Sequence, residues 1–271
     1  MMTKGNKDEV VLLLDGDMIL FTAVSAARQL VDWDSDGQVI TDTVDVNEAR
    51  NIFTREIEKK VKECENATGG IVLKTVICLT GHDNFRRDVL PSYKGGRGAK
   101  PPGYRKMQDW VKRQEGYAVY LRDGLEADDC LGILLTHPNL YKGFVKVLWS
   151  GDKDLMQIPG KHLKDDKIVE VSQYDGEVLF YKQTCTGDIT DGYKGLNGFG
   201  PAAWTSLINK AKKEDECDQP SLDTIFRLVK EAYLKKGSNL EELLIQARCA
   251  RILRYDDYDY EKKEVILWEP K

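Results

Sequence analysis

The chain reads as an α/β protein: a mainly parallel central sheet flanked by helices, with a C-terminal helical subdomain. Two observations predict this. Short aliphatic runs of strand length alternate with helically spaced segments through the first two thirds, and after about residue 185 only helical spacing remains. Strands alternating with helices imply parallel βαβ units in a covered sheet. The expected division is a core over residues 1–184 and a helical region over 185–271.

Each element has its own signal. Val10–Leu14 is a short buried strand, and "MILFTAVSAARQL" (18–30) the helix after it. In Asp45–Cys64 the apolar residues Val46, Ala49, Ile52/Phe53, Ile57 and Val61 recur at helical spacing, and Gly69-Gly70 stops the helix. Ile71–Leu79, Tyr117–Leu121 and Phe144–Trp149 are the second, third and fourth strands, with a helix over Ala127–Thr136 between the last two. Ser92–Tyr104, rich in Gly, Pro and basic residues, reads as a segment that a ligand would order. Ile168–Phe180 suggests a hairpin turning at Asp175-Gly176. Pro201–Ala211, Ser221–Lys235 and Leu240–Leu253 are helices.

Composition excludes some functions. The 271 residues are 41% hydrophobic and 31% charged, an ordinary globular balance. Val10–Leu14 is far too short to cross a bilayer and "MMTKGNKDEV" holds no apolar signal core, so a cytoplasmic protein is expected. Six scattered cysteines and three histidines (82, 137, 162) show no zinc or redox spacing, which points to reduced thiols and away from a His/Cys metal site. The net charge of −5 argues against nucleic acid only as an average. From Arg86 to Arg113 nine basic residues face two acidic ones, interleaved with Tyr93, Tyr104 and Trp110. A mixed charge run is usually a solvated face. This one is nearly one-signed, and basic plus aromatic residues suit a phosphate backbone and its bases.

The acids follow the strands. Asp15 and Asp17 come after the first, Asp83 after the second, Glu126, Asp128 and Asp129 after the third, and Asp152 and Asp154 after the fourth. Parallel strands end along one edge, where α/β proteins place their sites. Any one acid could merely cap a helix. Four successive strand ends with carboxylates are hard to explain by capping alone, although Asp129 and Asp17 keep that reading. Hard divalent cations with oxygen ligands would balance such charge, Mg²⁺ by default. Two of them about 3.5–4 Å apart can clamp a phosphate displacement. Further on, Asp188 and Asp191 precede the Gly-rich turn "GLNGFG" (195–200) and a helix near Pro201, an arrangement suited to binding phosphate through backbone amides.

"LLLDGD", "YKGGR", "LEADD", "SGDKDL" and "GDITDGYKGLNGFG", in this order, resemble the 5′-nuclease (flap endonuclease) superfamily. "DGDMILFTAVSAA", "GDITDGY" and "ARILRYDDYDYEKKEVILW" make the nearer likeness the bacteriophage 5′→3′ exonucleases of the T-odd podovirus type. The resemblance covers nearly the whole chain. It implies a 5′-nuclease (PIN-like) core, a basic helical arch at about 86–116, and a helix–hairpin–helix-like DNA-binding module after residue 185. It implies one metal cluster at Asp15, Glu126, Asp128 and Asp129 and another at Asp152, Asp154, Asp188 and Asp191. Mg²⁺ would be the metal, with Mn²⁺ able to substitute, and hairpin carbonyls in 195–200 would be a site for K⁺. Lys94 and Arg97 would contact the scissile phosphate and Tyr93 would stack on a base. Arg86, Lys100, Arg105, Lys106, Gly195, Gly198 and Gly200 would bind DNA. The catalytic set is then Asp15, Lys94, Arg97, Glu126, Asp128, Asp152, Asp154 and Asp191. One departure is visible: the family's acid before the aromatic-Arg pair falls on Gly81, so either Asp83 serves instead or that ligand is absent.

The implied activity is metal-dependent hydrolysis near the 5′ end of duplex DNA, at ends, nicks or flaps, or of RNA–DNA hybrids. Products would carry a 5′-phosphate, in phage replication or recombination, with replication proteins as partners and no membrane. Two rivals stand beside it. "LLLDGDM" and "SGDKD" also resemble an aspartyl-phosphate phosphatase with Asp15 as nucleophile, and a catalytically silent DNA-binding protein could keep the fold.

Overall fold

The computed structural model describes residues 8–32 and 40–270; the opening "MMTKGNK" lies outside them. A six-stranded sheet forms the centre. Its strands are β1 (Glu9–Asp15), β4 (Ile71–Cys78), β5 (Ala118–Tyr120), β6 (Val145–Trp149), β7 (Gly160–Lys164) and β8 (Lys167–Val171), in the order β5-β4-β1-β6-β7-β8. All pairings are parallel except β7–β8. The small antiparallel ribbons are β2 (Arg28–Asp32) with β3 (Ile40–Val44), and β9 (Tyr258–Asp259) with β10 (Glu264–Val265).

β1 shows why the sheet is covered on both faces. Val10, Leu12 and Leu14 enter one apolar cluster and Val11 and Leu13 another, as the two-residue period of a strand requires. The first cluster lies under α1 (Gly16–Ala26), α2 (Val46–Thr68) and α4 (Tyr104–Val111). The second lies under α5 (Ala127–Thr136) and the returning segment at Ile252-Leu253. A third cluster joins α6 (Gln173–Thr186), α7 (Pro201–Glu214), α8 (Leu222–Lys235) and α9 (Leu240–Ala250) with Tyr93, four residues beyond the single-turn α3 (Arg86–Val89). The helical layer therefore begins with α6, and the chain after α9 folds back onto α5. In the basic segment, α4 is held by Tyr104, Met107 and Val111 in the first core.

The first helix ends at Ala26, and residues 28–32 pair instead as β2, with Arg28 bonded bidentately to Asp42 across the ribbon. The hairpin near residue 170 turns at Asp165-Asp166, both at positive φ, between β7 and β8. Asp175-Gly176 is not its turn. Ser172 caps α6 by accepting the Asp175 amide, and Gly176 packs so close that a Cβ would lie 2.4 Å from the Gln157 carbonyl oxygen. A dipeptide favoured in turns serves here as a helical first turn because α6 must approach that carbonyl.

Candidate active site

The parallel strands end on one edge, and a cleft of about 550 Å³ opens there. Asp15 is the last residue of β1 and caps α1 through the Met18 amide, Oδ1 to N 3.0 Å. Asp17, one residue into that helix, leaves the capping to Asp15 and faces the Thr80 amide and Lys100. Glu126 is the N-cap of α5 and Asp128 lies in its first turn. Asp152 caps the short 3-10 turn Lys153–Gln157 by accepting the amide of Asp154. Asp188 and Asp191 sit in the turn after α6, where Asp188 bridges to Tyr193. Eight carboxylates from four chain segments thus line one cleft: Asp15, Asp17, Glu126, Asp128, Asp152, Asp154, Asp188 and Asp191.

Their electrostatics divide them. Burial, with Asp17 and Asp152 nearby, raises Asp15 to about 6, and burial beside Asp152 raises Asp154 to about 6. Burial and the charges of Asp15 and Glu126 push Asp128 well up. Glu126 goes the other way, to about 2: burial opposes its charge, but Lys94 and Arg86 outweigh burial. Lys94 reaches Glu126 and Asp191 together, and Arg97 pairs with Asp191. Lys94 stands in the left-handed region at φ +53, its amide donating to the Asp191 carbonyl at 2.7 Å.

Relief of this crowding can be measured. A carboxyl raised above its unfolded value disfavours folding when ionised, and the penalty disappears as pH falls from above the folded value to below the unfolded one. Asp154→Asn is therefore expected to raise Tm at pH 7.5 in EDTA. The gain should be about 1 kcal/mol, discounted for partial exposure to water, and should fade between pH about 6 and about 4. Melting curves of both proteins across that range check it; a gain that persists at pH 4, or none at pH 7.5, contradicts the assignment.

Five expected site residues stand elsewhere or are otherwise engaged. Asp129 is fully buried, its oxygens taken by Arg86 and by the Leu253 and Glu126 amides, so it is no cleft ligand. Arg86, 2% exposed, commits its guanidinium to Asp129, Glu126 and the Cys249 and Arg251 carbonyls, leaving nothing for DNA. The Tyr93 ring is buried against Tyr193, centroids 6.5 Å apart, and its hydroxyl lies 3.1 Å from both Glu126 and Asp191, so here it stacks on protein and not on a base. Gly195 is buried with its amide given to Gln246, so it offers no donor to phosphate. Asp83 is exposed at φ +59 and lines neighbouring cavities outside the acid cleft. Nor could Gly81 be the missing acid, since a Cβ there would fall 1.9 Å from the Arg122 carbonyl oxygen.

The remaining candidates are accessible. Arg105 and Lys106 are exposed and, with Lys100, line a second cavity of about 1070 Å³ that shares Lys94, Tyr104 and Glu126 with the cleft. Gly198 is open at φ +66 and Gly200 caps α7. Sequence reading missed Phe21 on α1, 54% exposed where it lines the cleft, and Ile189, 93% exposed between Asp188 and Asp191. In the sequence they are only apolar residues near acids, and their exposure is visible in the fold alone.

An all-oxygen donor set suits hard divalent cations. As placed, no three carboxylate, imidazole or thiolate groups among the described residues close on one point tightly enough to hold an ion; Lys94 and Arg97 balance Glu126 and Asp191 instead. Both oxygens of Asp15 accept hydrogen bonds, from Met18 N and Ser150 Oγ, which fits a held ligand better than an attacking nucleophile.

A parallel sheet whose strand ends carry acids, faced by a lysine- and arginine-bearing segment, defines a nuclease-type site. A family described as "5'-3' exonuclease, N-terminal resolvase-like domain" matches residues 10–184, and the chain belongs to that family. It is similar to the exonuclease of Escherichia phage T7, 28% identical over 98% of this chain and 96% of that protein. It is likewise similar to the exodeoxyribonuclease of Enterobacteria phage T3, 27% identical over 99% and 95%. Among solved structures, the T5 D15 protein co-crystallised with metal ions superposes with a TM-score of 0.52 at 15% identity, over 89% of this chain and 91% of that one. That likeness concerns the fold. The chain is thus a 5′–3′ nuclease of the phage exonuclease type. Among the described residues no helix is long and apolar enough to cross a membrane.

Proposed function

We propose that this nuclease hydrolyses phosphodiester bonds near the 5′ end of duplex DNA, using divalent ions held by Asp15, Glu126, Asp128, Asp152, Asp154, Asp188 and Asp191. The observation that carries the reading is the gathering of these acids in one cleft with Lys94 and Arg97 among them. When bound, two Mg²⁺ ions, or Mn²⁺ in their place, would supply a water of lowered pKa and offset charge on the phosphate.

The chain's own residues do the rest. Lys94 and Arg97, now paired with Glu126 and Asp191, transfer to the phosphate oxygens and stabilise the charge that grows there. Lys100, Arg105 and Lys106 grip the backbone in the adjoining cavity as part of the basic arch over 86–116. Phe21 offers a face on which a base can stack. The start of α7 with Gly198 and Gly200 takes duplex phosphate through amides, and the carbonyls of the 195–200 hairpin would hold K⁺ if that ion binds. Products carry a 5′-phosphate. Ends, nicks, flaps and RNA–DNA hybrids are the substrates, in phage replication or recombination alongside replication proteins.

The test is a duplex labelled at its 5′ end. Label should be released with Mg²⁺ and retained in EDTA. Release from the 3′ end, or turnover of a small phosphate monoester in place of DNA, would defeat the proposal.

A further inference from the structure

Ser150 is the first residue past β6 and only 1% exposed. Its Oγ stands 2.7 Å from Asp15 Oδ2 and 3.0 Å from the Asp152 amide nitrogen. The amide can only donate, so it occupies an acceptor lone pair on Oγ, and the single hydroxyl proton goes to Asp15. The other oxygen of Asp15 accepts from Met18 N. The Asp15 carboxylate is thereby held at both ends, and one of its holders also sets the turn that bears Asp152 and Asp154.

The same turn is pinned from behind. Lys164 Nζ, on β7, donates to the Ser150 carbonyl at 2.5 Å and approaches the Asp152 carbonyl at 3.2 Å. Gly151 lies against Met18, where a Cβ would come within 2.4 Å of the methionine methyl. A serine serving only its turn needs to accept the amide two residues on and nothing more. Donation across 135 residues to a cleft acid is an additional bond that such a turn does not require.

We propose that Ser150 is a positioning residue for the nuclease: its hydroxyl fixes Asp15 relative to Asp152, so the two acids meet an incoming cation as one preset pair. This rests on the metal-dependent reading above. Residues that hydrogen-bond a ligating side chain commonly change metal affinity or activity about 10- to 100-fold when removed.

The experiment is calorimetric titration of Mn²⁺ into DNA-free protein for wild type, Ser150→Ala, Asp15→Asn and the double variant. Ser150→Ala should weaken binding about 10- to 100-fold. In the Asp15→Asn background it should weaken binding less than about twofold, because the partner through which it acts is already altered. Wild-type affinity in Ser150→Ala, or the same loss in both backgrounds, overturns the proposal, the second result marking Ser150 as a mere turn residue. If wild type itself takes up no Mn²⁺, the metal reading of the cleft fails first and this inference with it. Should wild type bind while Ser150→Ala is indistinguishable from it, only this inference fails.

Discussion

Asp152→Asn together with Asp154→Asn should leave a well-folded protein that releases 5′-terminal nucleotides at least about 10³-fold more slowly than wild type. Removing one group that stabilises transition-state charge typically costs about 10²–10³ in kcat, and here two acids assigned to hold divalent ions are neutralised at once. Folding should not suffer. Asp154 is raised to about 6 by burial and by Asp152, so its charge opposes the folded state. The amide oxygen of Asn at 152 can still accept the residue-154 amide as the Asp152 carboxylate does. Loss of rate without loss of Tm is the pattern of a site whose electrostatics serve function at some expense of stability. Single-turnover release from 5′-labelled duplex, read beside melting curves, decides it. An active double variant would remove this turn from the active site.

Arg86→Ala should do the opposite, costing about 3–5 kcal/mol of stability. The guanidinium meets Asp129 bidentately at 2.7 and 2.8 Å, both side chains out of water, and also satisfies the carbonyls of Cys249 and Arg251. Deleting it leaves a buried carboxylate with no counter-charge. Lysine would not replace it, because a single ammonium cannot match the fork. The midpoint of urea unfolding measures the loss, and Mn²⁺ affinity of Asp129→Asn separates the roles: a structural Asp129 lowers stability and spares metal binding. A midpoint within about 1 kcal/mol of wild type for Arg86→Ala would contradict the burial argument.

The pair also shows where sequence reading ends. "LEADD" places three acids at the start of α5, and helical geometry must send them in different directions. Glu126 and Asp128 turn to the cleft, while Asp129 turns inward to Arg86. Nothing local distinguishes them. The deciding partners include the Arg86 side chain, 43 residues away, and the Leu253 amide, 124 residues away. Tyr93 and Gly195 were misread for the same reason: a ring beside a basic loop and a glycine in a hairpin look exposed until Tyr193 and Gln246 close over them. Asp175-Gly176 failed differently, because close approach to the Gln157 carbonyl outweighed its preference for turns.

Sequence alone determined the properties set by near neighbours and by residue type. The buried strand at Val10–Leu14 with its side chains alternating between the two faces, the helix over 46–68, the parallel sheet and the acids after its strands follow from side-chain period, caps and the short reach of backbone hydrogen bonds. Tertiary structure decided which carboxylates share the cleft and which are spent on internal ion pairs. It decided too that Gly81 has no room for an acid and that Ser150 reaches Asp15. A side chain's direction depends on groups brought beside it by the folded chain, and pattern along the chain carries no record of those meetings.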